Sequence, residues 1–277
     1  MFGITAHRRL QEAVAGMMHK ALPFSLVEEV DMSEVCVLRA KLCEKDRHAT
    51  YTAVILKAIA LAIQQMRKEY PIFNSYYLRW PFRRIVPTFE IRAAVMVART
   101  VDGEDHALVG IIPNPDKMRM DEISQCLHDY STIPAEDVPD FQGTLGLQKF
   151  PLLIQRLAFF VAANVLRLRR RYNGTFWLTT VGKYGPDIQI PSTMGVAFAF
   201  GAIRDRVVAV GGRPAVRPTM YLTAVLDRRL FSGAPAAQLL NRIKELLEHP
   251  ERLLTDEMLG EGLESIERDA VVPVEVR

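Results

Sequence analysis

Strand patterns and helix patterns alternate along this chain, and no linker divides them between two cores. Alternating apolar residues in SLVEEVDM (25–32) predict a strand with Leu26 and its even-numbered neighbours on one face. A helix with a broad apolar stripe is predicted to begin at Thr50 or Thr52. This intermixed order predicts one mixed α/β domain rather than separate helical and β domains.

The other segments follow the same alternation. Ser33 is placed to cap a helix over 34–47. Residues 131–149 hold two prolines and two glycines and predict a surface connection. Further helices are predicted over 5–20, 116–130, about 150–171 and 233–248, and strands within 83–99 and over 106–113, 174–181, 194–201, 205–210 and 216–226, with Gly211-Gly212 as a hairpin turn. The core is predicted over 1–254 and a polar tail over 255–277.

Composition and charge give no support for nucleic-acid binding, a membrane location or a metal site. A net charge of +3 among 277 residues gives no argument for nucleic acid. The most apolar stretch (150–166) is short for a membrane span and is interrupted by Gln155 and Arg156, so a membrane location is not expected. The three cysteines have no metal-ligand spacing and predict buried thiols in a reducing compartment, the cytoplasm, with no metal site.

Several motifs occur in a fixed order between residues 5 and 254. They are LPFSLVEEVDM (22–32), TAVILKAIALAIQQ (52–65), PIFNSYY (71–77), VGIIPNPDK (109–117), GTFWLTTVGKYG (174–185) and MYLTAVLDRRLFSGAPAAQLL (220–240). Together they resemble the catalytic core of the dihydrolipoamide acyltransferases of 2-oxoacid dehydrogenase complexes, relatives of chloramphenicol acetyltransferase.

The resemblance implies a chloramphenicol acetyltransferase-like α/β fold, a mixed sheet with helices packed on one face. It implies a homotrimer, possible assembly into a larger cage, and an active site in a channel between subunits. Coenzyme A or an acyl-coenzyme A is the implied substrate, with no covalently bound cofactor, and its binding residues are not identified. An acyl carrier or another protein is a possible partner. Lipoyl and subunit-binding domains are not expected in this sequence.

The family's reaction motif is His-x-x-x-Asp-Gly, in which the histidine is the general base. In this chain Arg228 stands at the histidine position, Ser232 at the aspartate position, and Gly233 at the glycine. A guanidinium has no acceptor lone pair and stays protonated, so Arg228 is not expected to do that chemistry. Thr179 aligns with the family's hydroxyl donor to the oxyanion. One of the three reacting positions therefore keeps its chemistry.

Each of these residues also has an ordinary structural explanation. Thr179 is a β-branched residue in a strand and suits packing or a local hydrogen bond. Ser232 is placed to cap the following helix. Arg228 is predicted to form a surface or interface ion pair, or else to contact a ligand. Asp227 is predicted to pair with a neighbouring arginine.

Two other features have no clear family counterpart. His106 is the first histidine to test as a replacement base, because in the family that strand approaches the substrate channel. Arg167–Arg171 ends the predicted helix of 150–171, where cations favour the helix dipole. The alternatives are docking of an acidic carrier, binding of coenzyme phosphates, or contact with an anionic membrane. The even spread of apolar residues favours a protein interface over a membrane.

Three functions remain open on the sequence, the third being a membrane-peripheral or partner-docking module that uses the arginine helix. The first is a trimeric scaffold or binding protein that has lost the base and is non-catalytic or non-standard. The second is a divergent coenzyme A-dependent acyltransferase acting on a small-molecule or carrier-bound acceptor, which relies on positioning and the Thr179 hydroxyl.

Overall fold

A computed structural model describes residues 5–6, 9–10, 12–13, 22–101, 103–187 and 195–254. The predicted helix over 5–20 lies largely outside these residues, and the predicted tail over 255–277 lies entirely outside them. The described strands are β1 (Pro23–Asp31), β2 (Ser75–Leu78), β3 (Arg84–Pro87), β4 (Arg92–Val101), β5 (Glu104–Pro113), β6 (Phe176–Thr180), β7 (Val196–Phe200), β8 (Arg204–Val210) and β9 (Arg213–Asp227). The described helices are α1 (Ser33–Glu44), α2 (Tyr51–Met66), α3 (Met120–Thr132), α4 (Pro139–Leu147), α5 (Leu152–Asn164), α6 (Leu166–Tyr172) and α7 (Gly233–Glu248).

Within these residues seven strands form one mixed sheet in the order β1-β9-β7-β6-β4-β5, with β8 on β9. The long strand β9 organises one end of the sheet, because its second half pairs with both β1 and β7 and its first half pairs with β8. Gly211 and Gly212 close the β8–β9 hairpin with φ of +57° and +78°, which is the backbone of the predicted two-residue turn.

The helices cover one face of the sheet, as predicted. Phe176, Leu178 and Phe198 point from the sheet into the same core cluster as residues of α1, α2, α3 and α7. Strand β1 contributes its even-numbered side, and Val30 is fully buried there. Apolar side chains along α2 and α7 are buried against this face and are removed from contact with water. That burial is the main stabilising term of the fold.

Helix starts only partly follow the prediction. Thr50 caps α2, because its Oγ1 accepts a hydrogen bond from Ala53 N at 3.2 Å. The predicted cap at Ser33 is wrong. Ser33 is the first residue of α1, and its hydroxyl donates to Asp31 Oδ1 at 2.6 Å. Asp31 therefore serves this helix end, since the same oxygen accepts the Ser33 N–H at 2.8 Å.

The region between α3 and β6 differs most from the sequence prediction. The predicted connection over 131–149 contains helix α4, which begins at Pro139 and buries Phe141 completely. A proline in the first turn favours this start, and one buried aromatic anchors a helix that two glycines weaken. The single helix predicted over about 150–171 is two helices, α5 and α6, separated at Val165, whose ψ is 113°.

A buried lysine ties α2 to the loop that precedes α3. Lys57 is fully buried, and its Nζ donates to Asp116 O at 2.6 Å and to Met118 O at 2.7 Å. Burial lowers the pKa of Lys57 to about 8 and raises the pKa of Asp116. The lysine lies inside the apolar run TAVILKAIALAI (52–63), and its burial was not predicted from the sequence.

Other features concern cysteines and long helices. Cys36 and Cys126 are half-buried but Cys43 is exposed, so the expectation that all three thiols are buried is wrong. Over the described ranges no helix combines the length and the apolar composition needed to cross a membrane. The same ranges bring no three His, Cys, Asp or Glu side chains together as a candidate metal site.

Candidate functional site

The turn after β9 is closed by main-chain hydrogen bonds around Asp227. Leu230 N and Phe231 N both donate to Asp227 O, at 2.9 and 3.1 Å. Phe231 then stacks on Phe73, with ring centroids 5.5 Å apart. Because Phe231 belongs to the core and helix α7 begins at Gly233, both ends of the turn are fixed.

A buried ion pair holds the turn from inside. Asp227 is only 1% exposed. Its carboxylate accepts from Arg229 Nε at 2.8 and 3.0 Å and from Arg229 N at 3.1 Å. Burial alone would raise the pKa of Asp227, but the hydrogen bonds from Arg229 hold it below the ordinary aspartate value. The predicted pairing of Asp227 with a neighbouring arginine is confirmed, and the partner is Arg229.

Arg228 points away from this ion pair. Its side chain is exposed, and its guanidinium carbon lies 5.1 Å from the centre of the Phe24 ring on β1. Its main-chain N–H donates to Leu22 O at 2.8 Å. Arg228 forms no ion pair with any residue of the described ranges, so an ion pair within one chain does not explain it there. The turn thus offers a permanent cation to solvent.

Ser232 occupies the helix-capping position without making the capping bond. It precedes α7 with φ −95° and ψ 161°, the backbone of an N-cap, but its side chain accepts no helix N–H. The position of the predicted cap is therefore right, and its hydrogen bond is not formed. The exposed Ser232 hydroxyl lies on the same turn as Arg228.

Thr179 lies on the face of the sheet opposite the helices. Phe176 and Leu178 on β6 belong to the core, and side chains alternate along a strand, so Thr179 points to the other face. It is nearly buried, at 8% exposure. Asp227 and Thr223 lie on that same face of β9 because their neighbours in the strand face the core.

The strand register separates Thr179 from the turn within one chain. Thr179 pairs with Ala199 on β7, and Ala199 pairs with Thr223 on β9. Asp227 follows Thr223 by four residues. With a rise of about 3.4 Å per residue and about 4.8 Å between strands, the Cα atoms of Thr179 and Asp227 are about 17 Å apart. One chain therefore does not bring the Thr179 hydroxyl to Arg228 or Ser232.

His106, the first histidine to test as a base, lies far from the turn after β9 within one chain. It lies on β5, at the edge of the sheet opposite β1. Its side chain is on the same face of the strand as those of Leu108 and Ile112, which belong to the core clusters. Its Nδ1 is 3.2 Å from Gln148 Nε2. Because Thr179 points to the other face, His106 and Thr179 do not lie on the same side of the sheet within one chain.

A crevice beside the turn contains Arg169 of the arginine cluster together with residues that the sequence did not single out. Tyr77, Arg169, Trp177 and Phe231 are among those lining it. Burial lowers the pKa of Arg169 to about 10. Burial, with the nearby charge of Arg229, also lowers the pKa of Arg79. Sequence gave a weak signal for Arg169, which lies in the arginine run, and none for its burial.

Comparison with known proteins gives consistent similarities. A family model described as 2-oxoacid dehydrogenases acyltransferase (catalytic domain) matches residues 4–137 and 144–255. A dihydrolipoyllysine-residue succinyltransferase component of the 2-oxoglutarate dehydrogenase complex from Bartonella vinsonii subsp. berkhoffii is 30% identical over 262 residues, 91% of this chain and 53% of that protein. The acetyltransferase component of the pyruvate dehydrogenase complex of Acholeplasma laidlawii is 25% identical over 259 residues, covering 89% and 41%. The chain spans about half the length of these curated relatives.

Solved structures confirm the predicted fold. Dihydrolipoamide acetyltransferase of Azotobacter vinelandii aligns with a TM-score of 0.66 at 16% identity, covering 92% of this chain and 93% of that one. In that enzyme a serine, a histidine and an asparagine have a role in the catalytic mechanism, and the last two are four positions apart. The truncated 2-oxoacid dehydrogenase complex core of Thermoplasma acidophilum aligns with a TM-score of 0.61 at 20% identity, covering 90% and 97%.

Proposed function

Because the chain belongs to the family of 2-oxoacid dehydrogenase acyltransferase catalytic domains, we propose that it keeps the acyltransferase fold without the base of the standard reaction. The observation that carries this proposal is Arg228 at the tip of the turn, exposed and without an ion-pair partner among the described residues. General base catalysis needs an acceptor near neutral pH. A guanidinium offers five donors and no acceptor. The turn is therefore suited to hold an anion and not to remove a proton.

The proposed role is a trimeric scaffold or binding protein. The separation of about 17 Å between Thr179 and Asp227, estimated from strand geometry, supports a site assembled from two chains rather than one. In this arrangement Thr179 of one subunit faces Arg228 and Ser232 of its neighbour. Arg228 then binds a phosphate or carboxylate group, for which an exposed guanidinium is well suited. Light scattering should give a mass near three times the 31.3 kDa chain.

An acyl-transfer assay tests the loss of the base. The wild-type chain is supplied with acetyl-coenzyme A and dihydrolipoamide, and we expect no turnover above the uncatalysed rate. The variant Arg228→His/Ser232→Asp restores an acceptor and a carboxylate to a turn whose backbone is already fixed by Asp227, and we expect it to gain activity. Arg213→His adds a histidine to an exposed position on the β8–β9 hairpin and serves as the matched control. Robust wild-type turnover that Arg228→Ala abolishes would contradict the proposal.

The alternative is a divergent coenzyme A-dependent acyltransferase. Thr179 favours it, because a nearly buried hydroxyl on the face away from the core is suited to stabilise an oxyanion if an acceptor is positioned there. The acceptor would be a small molecule or an acyl carrier that needs little help in losing its proton. Calorimetry should then detect saturable coenzyme A binding, and slow transfer should fall in Thr179→Val and persist in Thr180→Val. Absence of any coenzyme A binding contradicts this alternative.

A further inference from the structure

Helix α5 and the loop between β2 and β3 form one exposed apolar surface, which we call the basic apolar patch (residues 79–84 and 150–171). Trp80 and Phe82 in the loop are 59% and 79% exposed, and Leu153 and Leu157 on α5 are 78% and 62% exposed. The two parts are joined, since Asn164 at the end of α5 accepts hydrogen bonds from the main chain of residues 79 and 80 at 2.9 and 2.8 Å. The Trp80 ring also contacts Phe160, with centroids 6.2 Å apart.

The exposed apolar residues lie on one side of α5. At about 100° per residue they fall within an arc of about 120°, whereas Gln155 lies on the opposite side and is fully buried. They are Leu153, Ile154, Leu157, Phe160 and Val161. The even spread that the sequence suggested is therefore resolved by the structure into a two-sided helix, about 20 Å long. A helix with its exposed apolar residues on one side is suited to contact a membrane surface.

All the formal charges of these two segments are positive. Residues 75–89 and 150–172 contain eight arginines and no lysine, aspartate or glutamate. Arg83, Arg84, Arg167, Arg170 and Arg171 are exposed. None of these five forms an ion pair with a residue in the described part of the chain. One carboxylate borders the ridge, Glu12, which pairs with Arg156 of α5 at 2.8 Å. An apolar ridge bordered mostly by unpaired cations fits an anionic partner.

The shape and the charge together select the partner. A second copy of the same patch would oppose arginines with arginines, and like charges in contact are costly. Phe82, Leu153 and Leu157 are 62–79% exposed and form the crest of a ridge, so a peptide would bury little of them. A lipid headgroup layer receives such a ridge: apolar side chains enter the acyl boundary, aromatic rings sit at the interface, and arginines contact phosphates. We propose that the basic apolar patch docks this protein on an anionic membrane surface.

Co-sedimentation with lipid vesicles tests the proposal. The full chain is mixed with vesicles of phosphatidylcholine alone or of phosphatidylcholine with phosphatidylglycerol. We expect binding to the anionic vesicles only, weakened by salt. Arg170→Glu/Arg171→Glu should reduce partitioning by about 30-fold, since each basic residue near such a surface contributes about a factor of five or more. Leu153→Ser/Leu157→Ser should reduce it by about tenfold or more.

Matched variants on the β8–β9 hairpin control for composition. Val207 and Val216 are 71% and 65% exposed, and Val207→Ser/Val216→Ser removes apolar surface elsewhere. Arg213→Glu/Arg217→Glu makes the same charge change there. Both should bind vesicles as the wild type does, and circular dichroism checks that every variant is folded.

Trp80 reports insertion directly. In a Trp177→Phe background, Trp80 is the remaining tryptophan, and its emission should shift to shorter wavelength only with anionic vesicles. Three results would overturn the proposal: no binding to either vesicle, equal loss in patch and hairpin variants, or a lower oligomeric mass for Leu153→Ser/Leu157→Ser, which would assign the patch to a contact between copies. Because the test does not use acyl transfer, its failure is distinguishable from failure of the proposed function.

Discussion

Replacing Asp227 with asparagine should destabilise the chain by about 2–3 kcal/mol. The Asp227 side chain is 2% exposed and that of Arg229 is 26% exposed. The substitution leaves the guanidinium at its place and removes the charge that accepts its hydrogen bonds. Losing a charged hydrogen bond costs about 1.5–3 kcal/mol, and breaking a buried pair costs about 3–5 kcal/mol. We expect a loss near the lower end of these energies, because the Arg229 side chain is 26% exposed and its guanidinium can still be partly hydrated.

Urea denaturation of the wild type and of Asp227→Asn measures this difference. The pKa of Asp227 is lowered in the folded chain, so its contribution to the free energy of unfolding is present above the ordinary aspartate pKa. It is lost as the pH falls through the lower folded value. The gap between wild type and variant should therefore be full at neutral pH and should shrink below about pH 4.

The Arg119–Asp121 pair provides the control. Arg119 Nε donates to Asp121 Oδ1 at 3.0 Å, but the side chains are 36% and 24% exposed. Asp121→Asn should cost only about 0.2–1 kcal/mol, as exposed pairs do. If the two asparagine variants lose equal stability, or if the Asp227→Asn gap does not change in acid, burial of the ion pair is not what fixes the turn.

Three further predictions concern the core and the sheet. Between about pH 8 and pH 10.5 the free energy of unfolding of the wild type should rise by up to about 3 kcal/mol relative to that of Lys57→Met, because the folded chain releases the Lys57 proton at a lower pH than the unfolded chain does. Urea titrations at both pH values measure this difference. A difference between the two proteins that does not change with pH would refute it. Gly174→Ala should lower the melting temperature, since a Cβ there would lie 2.4 Å from Arg92 O, whereas Gly146→Ala meets nothing within 4 Å and should be neutral or stabilising. Equal shifts in thermal melts would contradict that reasoning. Thr223→Val should cost less than about 1 kcal/mol in urea denaturation, because the buried Thr223 hydroxyl has no hydrogen-bond partner among the described residues; a larger loss would indicate a partner across a subunit contact.

Local patterns predicted those parts of the fold that local chemistry controls. Helix α7 begins and ends where the sequence placed it, at 233 and 248, because a turn with glycine and a regular apolar spacing leave one helical solution. The even-numbered side of β1 faces the core as alternation requires. The order of motifs identified the family. Each helix, strand and motif of this kind depends on neighbours within a few residues, and the sequence also lists the motifs in order.

Helix α4 and the division of the predicted helix over about 150–171 into α5 and α6 could not be predicted in this way. Helix α4 is stabilised by Phe141, which packs with Leu108 on β5, a contact that proline and glycine counts do not reveal. The division between α5 and α6 at Val165 also depends on tertiary contacts, since Asn164 accepts two main-chain hydrogen bonds from the β2–β3 loop. These contacts join residues more than 80 positions apart.

The sequence by itself determined the residue types at the positions that align with the family's reaction motif: Arg228, Ser232 and Thr179. It also determined that Arg228 cannot act as a base, since that follows from the guanidinium alone. Only the tertiary structure decided which arginine pairs with Asp227 and which one faces solvent. It also decided that Thr179 and the turn are far apart in one chain. Side chain direction and strand register set these relations, and both arise from packing between distant segments.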